Sequence, residues 1–568
     1  MSVQWTKEQQ KVIDLRDSNI LVSAAAGSGK TAVLVERIIT RLTKDASPLD
    51  VDRLLIVTFT EAAATEMKER IGAALEKALE QEPENLHLQK QATLIHTAKI
   101  MTIHSFCLSV IRDYFHTIDL DPGFRIAEEG ELKLLRQDVV KEVLERHYET
   151  GEDDFLTFVE NFAVGREDSS LEGLIMQLYD FSRSYPEPEV WLEECAASYH
   201  EGICEDSPFM QKLKGYVDDC LDGIEADMNQ ARAVCLASGG PYMYESTIDA
   251  DWEQIAPVYE AETFAERYAA FQKMGKWARM SANRDKAVDE YLAEYVKNLR
   301  KKWKAELERI QTEYFFQPLE EMQADFSRCI PVVDILVELV KEFAIAFREK
   351  KTDSNLLDFD DMLVCTYELL KARPDICRGW QKRFRYILID EFQDINLLQY
   401  QVVRMLAAPE NNLFIVGDDD QSIYRFRGAR PEIMLHFPED YPDCRKILLN
   451  VNYRSVKPVV DHAGLLIGQN ETRYRKALTS ARGEGPEPVF AQVKNLQEEN
   501  DRVMRELQQY HRNGIPWEQM ALLYRTNQNP RAMVEQLMRM NLPFRMKDVV
   551  PSLYDHWIAG DMITYMLV

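Results

Sequence analysis

The sequence predicts an α/β fold built around a parallel sheet. Short, continuous apolar stretches at 20–23, 54–58 and 99–103 alternate with segments of helical periodicity, and the same alternation resumes after 384. Apolar strands without a polar face, separated by helices, are typical of a parallel sheet that is covered on both sides. Ligands of such sheets bind at the carboxyl ends of the strands, so the polar residues that follow each strand are the candidate functional residues.

The first strand leads into a glycine-containing loop and a helix, in the stretch NILVSAAAGSGKT at 19–31. Glycines let backbone N–H groups turn toward phosphate oxygens, a helix N-terminus adds a positive dipole end, a lysine adds charge and a threonine hydroxyl can ligate Mg²⁺. Ala24 replaces the first glycine of the usual pattern G-x-x-x-x-G-K-[ST], so an ordinary strand–turn–helix is the alternative. The predicted phosphate-binding residues are Ala24, Gly27, Ser28, Gly29, Lys30 and Thr31.

Two further pairs of a strand and a helix complete residues 1–120. LLIVT at 54–58 precedes the helical segment EMKERIGAALEKAL, and KIMTI at 99–103 precedes FCLSVIRDYF. Thr60 and His104 directly follow these two strands, and we therefore expect them at the same sheet edge as the glycine loop.

Residues 121–350 differ in composition and are predicted to form a helical insertion. They contain 49 acidic and 26 basic side chains, whereas the other 338 residues contain 46 and 42. The insertion thus carries −23 of the net charge of −27. Because the other 338 residues are nearly neutral, the negative net charge of the whole chain does not exclude a nucleic-acid partner. Such a partner could be bound through local basic clusters.

One helix of the insertion is predicted in detail. Apolar residues recur every three or four positions from Val288 to Ile310, which indicates one long and nearly straight helix. A group of basic residues on this helix forms either a solvated face or a DNA-contacting face. These residues are Arg300, Lys301, Lys302 and Lys304.

Three apolar strands follow the insertion, in FRYILIDEFQD, NLFIVGDDDQ and KILLNVNYRS, and two more are predicted at 488–493 and 521–527. Asp390 and Glu391 end the first of these strands. Adjacent carboxylates at a strand end can hold Mg²⁺ and orient or deprotonate an attacking water. A solvated turn is the alternative, which the four preceding apolar residues disfavour.

Composition narrows the class of protein. A hydrophobic content of 46% with 29% charged residues is typical of a soluble globular chain, and no run approaches the roughly 18 apolar residues of a membrane span. Nine scattered cysteines without a C-x-x-C pair predict reduced, buried thiols rather than a metal site or a disulfide scaffold. We therefore expect a cytoplasmic protein with no membrane partner.

Several motifs together resemble those of superfamily 1 DNA helicases of the UvrD, Rep and PcrA group. IDEFQD at 389–394, VGDDDQSIYRFRGA at 416–429 and NYRS at 452–455 carry the resemblance in the second half. In the first half, WTKEQQ, VTFTEAAATEMKERI and TIHSF resemble the glutamine, Ia and Ib motifs of the group. Residues 1–350 are similar to the AddA family of helicase–nuclease subunits, and residues 356–568, beginning with LLDFDDML, are more similar to UvrD and PcrA.

The resemblance implies a RecA-like P-loop motor domain with a parallel sheet, formed by residues 1–120 and 351–449. The acidic helical insertion at 121–350 is implied to be an accessory domain. Residues 450–568 are expected to form part of a second RecA-like domain. The late motifs of the group are not found, and 542–568 loosely resembles the segment before the second insertion of the family.

The resemblance also assigns roles to individual residues. At the nucleotide, Gln9 and Tyr453 are implied to bind the adenine base, Lys30 and Thr31 to bind phosphates and Mg²⁺, and Asp390 to bind the metal. The remaining nucleotide-site residues are Glu391 as the catalytic base, Gln421 as the γ-phosphate sensor and Arg454 as an arginine finger. The implied DNA-binding residues are Phe59, Thr60, Thr102, His104, Tyr424, Phe426 and Arg427.

Simpler explanations of some of these residues stay open. Phe59 and Phe426 are alternatively core aromatics, and His104 is alternatively an interior histidine with satisfied hydrogen bonds. Phe426 stands where the group often has tryptophan, which keeps a stacking face but weakens it.

The implied function is that of an ATP-dependent DNA helicase or translocase on single-stranded DNA and duplex junctions, moving 3′ to 5′ in repair or recombination. ATP and Mg²⁺ are the implied cofactors, and an AddB-like nuclease or helicase subunit is a possible partner by analogy. Because the late motifs are not found, the alternative is a truncated module that binds ATP and DNA without productive unwinding. An unrelated P-loop kinase or NTPase would require the Ia and Ib motifs to be coincidental.

Overall fold

The computed structural model of the chain describes residues 4–45, 47–118, 120–163, 168–282, 285–410, 412–526, 529–546 and 562–566. The chain forms two compact units, Met1–Gly483 and Glu484–Val568. All nine cysteines carry free thiols, as predicted, but the prediction that they are buried is wrong for Cys204 and Cys329, which are exposed. Within the described ranges, no helix has the length and the apolar content that crossing a membrane requires.

A six-stranded parallel sheet forms the centre of the first unit, which confirms the predicted α/β fold. Its strands lie in the order β3, β2, β6, β7, β1, β8, and every neighbouring pair is parallel. Through the described residues the strands are β1 (Ile20–Ala24), β2 (Leu54–Thr58), β3 (Lys99–Thr102), β4 (Arg125–Ile126), β5 (Leu356–Leu357), β6 (Tyr386–Ile389), β7 (Leu413–Gly417), β8 (Arg445–Leu449), β9 (Val451–Asn452) and β10 (Thr479–Ser480).

Helices cover both faces of this sheet. The helices before the insertion are α1 (Lys7–Asp14), α2 (Lys30–Thr43), α3 (Glu61–Gln81), α4 (Leu86–Leu94) and α5 (Ile103–Tyr114). The helices that follow the insertion in the first unit are α15 (Phe359–Ala372), α16 (Pro374–Arg383), α17 (Leu397–Ala407), α18 (Pro431–Asp440) and α19 (Lys457–Ile467). Between them, α6 to α14 form the insertion.

Successive strand residues point to opposite faces, and helices cover both faces, which is why β1, β2, β6 and β7 are buried along their whole length. In β1, Ile20 and Val22 belong to a core shared with α1 to α4, whereas Leu21 belongs to the core formed with α5 and α15 to α18. All five residues of β1 are buried. The central strand is thus fixed from both sides, and the loop that leaves its carboxyl end starts from a rigid point.

The insertion is helical, as its composition predicted, and it contains two apolar cores. The predicted long helix is present as α13, in which Val296, Trp303, Leu307 and Ile310 are buried. The helices of the insertion are α6 (Glu129–Thr150), α7 (Asp153–Phe162), α8 (Ser169–Ser182), α9 (Pro188–His200), α10 (Pro208–Leu236), α11 (Glu245–Tyr259), α12 (Phe264–Lys273), α13 (Glu290–Tyr314) and α14 (Leu319–Asp353).

Arg300 on α13 lies neither on a solvated face nor on an exposed DNA-contacting face, the two alternatives that the sequence left open. Its guanidinium is buried and donates to the Asp251 carboxylate over 2.6 and 2.7 Å and to the Ala278 carbonyl over 2.7 Å. Lys302 pairs with Asp227 at 2.8 Å, and the Lys304 ammonium lies 5.2 Å from the centre of the Trp277 ring. Arg300 therefore stabilises the insertion from within, whereas Lys301 and Lys302 are exposed, as a solvated face predicts.

The two ends of the insertion are joined by a short parallel pair of strands that the sequence did not predict. Arg125 lies opposite Leu356 and Ile126 opposite Leu357. Two-residue strands have too little apolar periodicity to be recognised in a sequence.

The second unit contains α20 (Leu496–Arg512) and α21 (Arg531–Arg539), packed around Met504, Met533 and Leu537. The strands predicted at 488–493 and 521–527 are wrong for the described residues there, which form neither strand. Phe490 is 85% exposed and Leu523 is 95% exposed. A strand requires a hydrogen-bonded neighbour, and an apolar pattern alone does not supply one. Most of the 542–568 segment lies outside the described residues.

Candidate nucleotide and nucleic-acid site

The sequence-predicted site residues of the first unit lie at the carboxyl edge of the sheet. The glycine loop follows β1, Asp390 follows β6 and Asp418 follows β7, and β1, β7 and β6 are adjacent strands. Phe59 follows β2, and Thr102 ends β3. The topology therefore brings together residues that are almost 400 positions apart in the sequence.

The glycine loop has the backbone that its sequence predicts. Gly27 has a φ of 68° and Gly29 a φ of 83°, which are left-handed values that favour glycine, and α2 begins directly at Lys30. Ala24 is the last residue of β1 and is fully buried, so its side chain is not available to a ligand. An alanine fits there because this position is part of the strand and needs no left-handed backbone.

Gln9 holds the glycine loop in place. Its side-chain amide donates to the Ser28 carbonyl at 3.1 Å, and its side-chain oxygen accepts the Thr6 backbone N–H at 3.0 Å. The second bond is half of a capping box at the start of α1. The implied contact of Gln9 with adenine stays a prediction, and it would require this buried amide to change partners.

Lys30 and Glu391 form an ion pair across the edge of the sheet, with Nζ 2.8 Å from Oε2. Glu391 adopts a left-handed conformation, with φ 50° and ψ 47°, which directs the chain into a turn immediately after β6. Burial opposes ionisation of Glu391, but the neighbouring ammonium outweighs it and lowers the pKa of this carboxyl. Glu391 is therefore a carboxylate at neutral pH.

Asp390 and Asp394 lie in a different electrostatic environment. Burial, followed by the charge of Glu391, raises the pKa of each to about 6. Repulsion among clustered acids is relieved when a cation binds between them. Asp390 is thus suited to become a metal ligand.

The donor set fits Mg²⁺ held partly by substrate. No group of three or more histidine, cysteine, aspartate or glutamate side chains that could hold a metal ion occurs in the part of the chain that the structure describes. Mg²⁺ commonly binds proteins through one or two side chains and completes its shell with phosphate oxygens and water. The predicted ligands Thr31 and Asp390 carry a hydroxyl and a carboxylate, which are oxygen donors of the kind that such a site needs.

A chain of hydrogen bonds connects Gln421 to Glu391. The Gln421 amide donates to the Asp418 carboxylate, and the Asp418 backbone N–H donates to the Gln393 side-chain oxygen at 2.9 Å. Gln393 is buried, and its amide donates to Glu391 Oε2 at 3.0 Å. Gln393 and Asp418 were not predicted as site residues, although they lie inside the motifs IDEFQD and VGDDDQSIYRFRGA.

The NYRS segment is in direct contact with the glycine loop. The Asn452 amide donates to the Ala26 carbonyl at 2.8 Å, and the Tyr453 backbone N–H donates to the Gly27 carbonyl at 2.8 Å. A Cβ at Gly27 would lie 2.6 Å from the Cβ of Arg454, so glycine is required for this approach as well. The side chains of Tyr453 and Arg454 are exposed. Asn452, which was not predicted as a site residue, accepts the Arg454 backbone N–H at 2.8 Å.

Three aromatic side chains form an exposed strip at the end of β2. Phe59 lies 4.8 Å from Tyr424, and Tyr424 lies 6.0 Å from Phe426, measured between ring centres. The Arg427 guanidinium lies 5.7 Å from both Tyr424 and Phe426. Phe59 is 37% exposed and Phe426 is 78% exposed, so the core-aromatic alternative is wrong for both.

Beyond this strip, at the end of β3, His104 packs edge-on against Phe359, with 6.0 Å between the ring centres. Phe359 is 61% exposed and was missed by the sequence analysis, although it lies in the LLDFDDML motif. Burial lowers the pKa of His104, so the imidazole is neutral at neutral pH. Thr102 caps α5 and donates to Glu61 at 2.7 Å, and Thr60 caps α3.

Comparisons with known proteins agree with this arrangement. The model of the UvrD/REP helicase N-terminal domain matches residues 5–442, and the model of the UvrD-like helicase C-terminal domain matches residues 447–567. An ATP-dependent helicase/nuclease subunit of Lachnoclostridium phytofermentans is 42% identical over 80% of this chain and 35% of its own length. Its counterpart in Anoxybacillus flavithermus is 40% identical over 82% of this chain and 40% of its own length. The chain thus spans well under half the length of these relatives.

Proposed function

We propose that this chain, which belongs to the UvrD/REP helicase family, is an ATP-driven motor that moves along single-stranded DNA in repair or recombination. The observation that carries the proposal is the position of the Lys30–Glu391 pair and of the aromatic strip at one edge of one sheet. Both belong to loops that leave adjacent parallel strands. A change at the nucleotide can therefore displace the residues that face DNA.

At the nucleotide, we assign the phosphates to the N–H groups of the glycine loop and to Lys30. Thr31 and Asp390 would hold Mg²⁺, which would neutralise charge on the phosphate oxygens. When Lys30 turns to the phosphates, Glu391 loses its partner and becomes free to accept a proton from the attacking water. Gln421 and Arg454 would contact the γ-phosphate, and Tyr453 would stack on the base.

On the DNA side, Phe59, Tyr424 and Phe426 would stack on bases, and Arg427 would add charge near the backbone. Stacking of this kind is worth about 1–3 kcal/mol per base and does not depend on sequence, as a motor on any strand requires. Thr60, Thr102 and His104 would line the neighbouring part of the same path. We propose 3′ to 5′ movement toward duplex junctions, by analogy with the family.

We propose that four segments of the chain form three domains of this motor. Residues 1–120 and 351–449 form the first RecA-like domain, and residues 121–350 form the accessory insertion. Residues 450–568 form part of a second RecA-like domain. The relatives are named for helicase and nuclease functions within a larger assembly of subunits. We therefore propose a partner subunit of the AddB type.

The test is ATP hydrolysis with and without single-stranded DNA, compared between the wild type and Glu391→Gln. A motor should show hydrolysis that rises steeply with DNA, and the variant should bind ATP with unchanged affinity but lose turnover. Hydrolysis that does not respond to DNA contradicts the motor. Binding of ATP and DNA without turnover by the wild type would support a binding module instead. Equal loss of binding and turnover in the variant would contradict the role of Glu391.

A further inference from the structure

A buried lysine that follows the NYRS segment forms ion pairs with three consecutive acids. These acids directly follow β7 of the six-stranded sheet. Lys476 Nζ lies 2.5 Å from Asp418, 2.6 Å from Asp419 and 3.3 Å from Asp420, and its side chain is fully buried. Arg473 adds two bonds to Asp420, of 2.7 and 2.6 Å. The acids follow β7, whereas both cations come from the loop between α19 and β10.

The geometry matches the chemistry of the ammonium group. A lysine ammonium has three N–H donors and no acceptor, and here it meets three carboxylates. Adjacent buried acids do not all ionise unless cations compensate their charge. Burial opposes ionisation of Asp420, but Arg473 and Lys476 outweigh it and lower its pKa. Removing Lys476 would therefore change both the charge and the shape of this loop.

Asp419 connects the segment that follows β7 to two further parts of the chain. It also accepts the Tyr474 backbone N–H at 2.7 Å and the Ser23 hydroxyl at 3.2 Å. Ser23 is the penultimate residue of β1 and directly precedes the start of the glycine loop. The cluster thus connects the end of β7, the end of β1 and the loop that carries Lys476.

The cluster leads directly to the catalytic groups. Asp418, which Lys476 contacts, accepts the amide of Gln421 and donates its own N–H to Gln393. Gln393 in turn donates to Glu391. We propose that Lys476 is a positioning residue for ATP hydrolysis, which fixes Asp418 so that Gln421 and Glu391 face the γ-phosphate. This inference rests on the proposed ATPase function.

A purely structural role of Lys476 and a positioning role predict different results. If Lys476 only stabilises the fold, its loss would weaken every nucleotide complex to the same degree. A positioning residue matters most where charge develops during hydrolysis, so its loss should mainly weaken the complex that imitates the transition state.

The experiment compares Lys476→Met, Lys476→Arg and Arg475→Met in the full chain. Arg475 is the exposed neighbour of Lys476 and provides the matched control. For each variant, we would measure kcat and KM for ATP, and the affinity for ADP alone and for ADP with Mg²⁺ and aluminium fluoride. For Lys476→Met we expect kcat and the affinity for the aluminium fluoride complex to fall by about 10- to 100-fold, with KM and the ADP affinity within about twofold of the wild type. Lys476→Arg should recover part of both losses, and Arg475→Met should lose neither.

Equal weakening of both nucleotide complexes, or no change in either, would overturn the proposal. If Lys476→Met does not fold, the double variant Lys476→Met with Asp420→Asn removes one buried charge together with its partner, and the same comparison applies. A wild type that binds nucleotides without hydrolysing them would refute the proposed function alone. In that case the two binding affinities still decide the role of Lys476.

Discussion

The edge of the six-stranded sheet and the helical insertion each contain an ion pair, and the two pairs differ in how far solvent can reach them. In the insertion, Arg300 is held by Asp251 and the Ala278 carbonyl, and the Asp251 side chain is 0% exposed. At the sheet edge, Lys30 pairs with Glu391, whose side chain is 37% exposed. The closed pair holds helices together, whereas the open pair can exchange its partner for a phosphate. The difference shows that the accessibility of an ion pair, rather than its presence, decides whether one of its partners can turn to a ligand.

The largest expected effect comes from breaking the closed pair. Arg300→Ala would leave Asp251 buried and without its cation, at a cost of about 3–5 kcal/mol in the free energy of unfolding. Chemical denaturation followed by tryptophan fluorescence measures this loss. Arg309→Ala on the same helix removes a partly exposed cation from a surface ion pair and should change the free energy of unfolding far less.

The double variant Arg300→Leu with Asp251→Leu sharpens this test. Replacing both partners by apolar groups should recover most of the stability, because no uncompensated charge remains. Equal stability of Arg300→Ala and Arg309→Ala would contradict the structural role of the closed pair.

Breaking the open pair should change activity rather than stability. Lys30→Ala removes the charge assigned to the phosphates and should lower DNA-stimulated ATP hydrolysis by about 10²–10³-fold. The melting temperature should change little, because Glu391 can be solvated where it stands. Lys44→Ala, near the other end of α2, removes an exposed lysine and should leave hydrolysis unchanged.

The aromatic strip offers a smaller effect on the same sheet edge. Phe426→Ala should weaken binding to single-stranded DNA by about 1–3 kcal/mol, because one stacking face is lost. Fluorescence anisotropy with a labelled oligonucleotide measures the affinity, and Phe426→Trp should strengthen it. Phe316→Ala, an exposed aromatic of the insertion, is the control. Equal losses for both alanine variants would place the DNA path elsewhere.

The smallest expected effect is a pH-dependent change in stability that is caused by Asp390, the acid next to Glu391. The pKa of Asp390 is raised to about 6, so its folded form binds a proton more tightly than its unfolded form does. Stability therefore falls as pH rises through about 4 to 6, and the full penalty is present above that range. Asp390→Asn should raise the free energy of unfolding of the nucleotide-free protein at neutral pH by an amount on the order of 1 kcal/mol, as measured by chemical denaturation. This gain should shrink as the pH falls toward about 4, and a gain independent of pH would contradict the assigned cause.

The sequence predicted the six strands of the sheet because each contains a short apolar run. It predicted the glycine loop because that loop directly follows the first strand. It could not predict the contact of Asn452 with Ala26, or that of Lys476 with Asp418, since both join residues far apart in the chain. Such contacts depend on the topology of the sheet and leave no local pattern. The strands predicted at 488–493 and 521–527 failed for the opposite reason, because a local pattern existed without a partner strand.

The backbone at Glu391 has a further consequence. A left-handed conformation costs a non-glycine residue about 1–2 kcal/mol, and a glycine would avoid that cost. Glu391→Gly should thus relax the turn after β6 while it removes the proposed base. ATP turnover thus favours glutamate at position 391, whereas the stability of the fold favours glycine there. The chain carries the residue that costs stability.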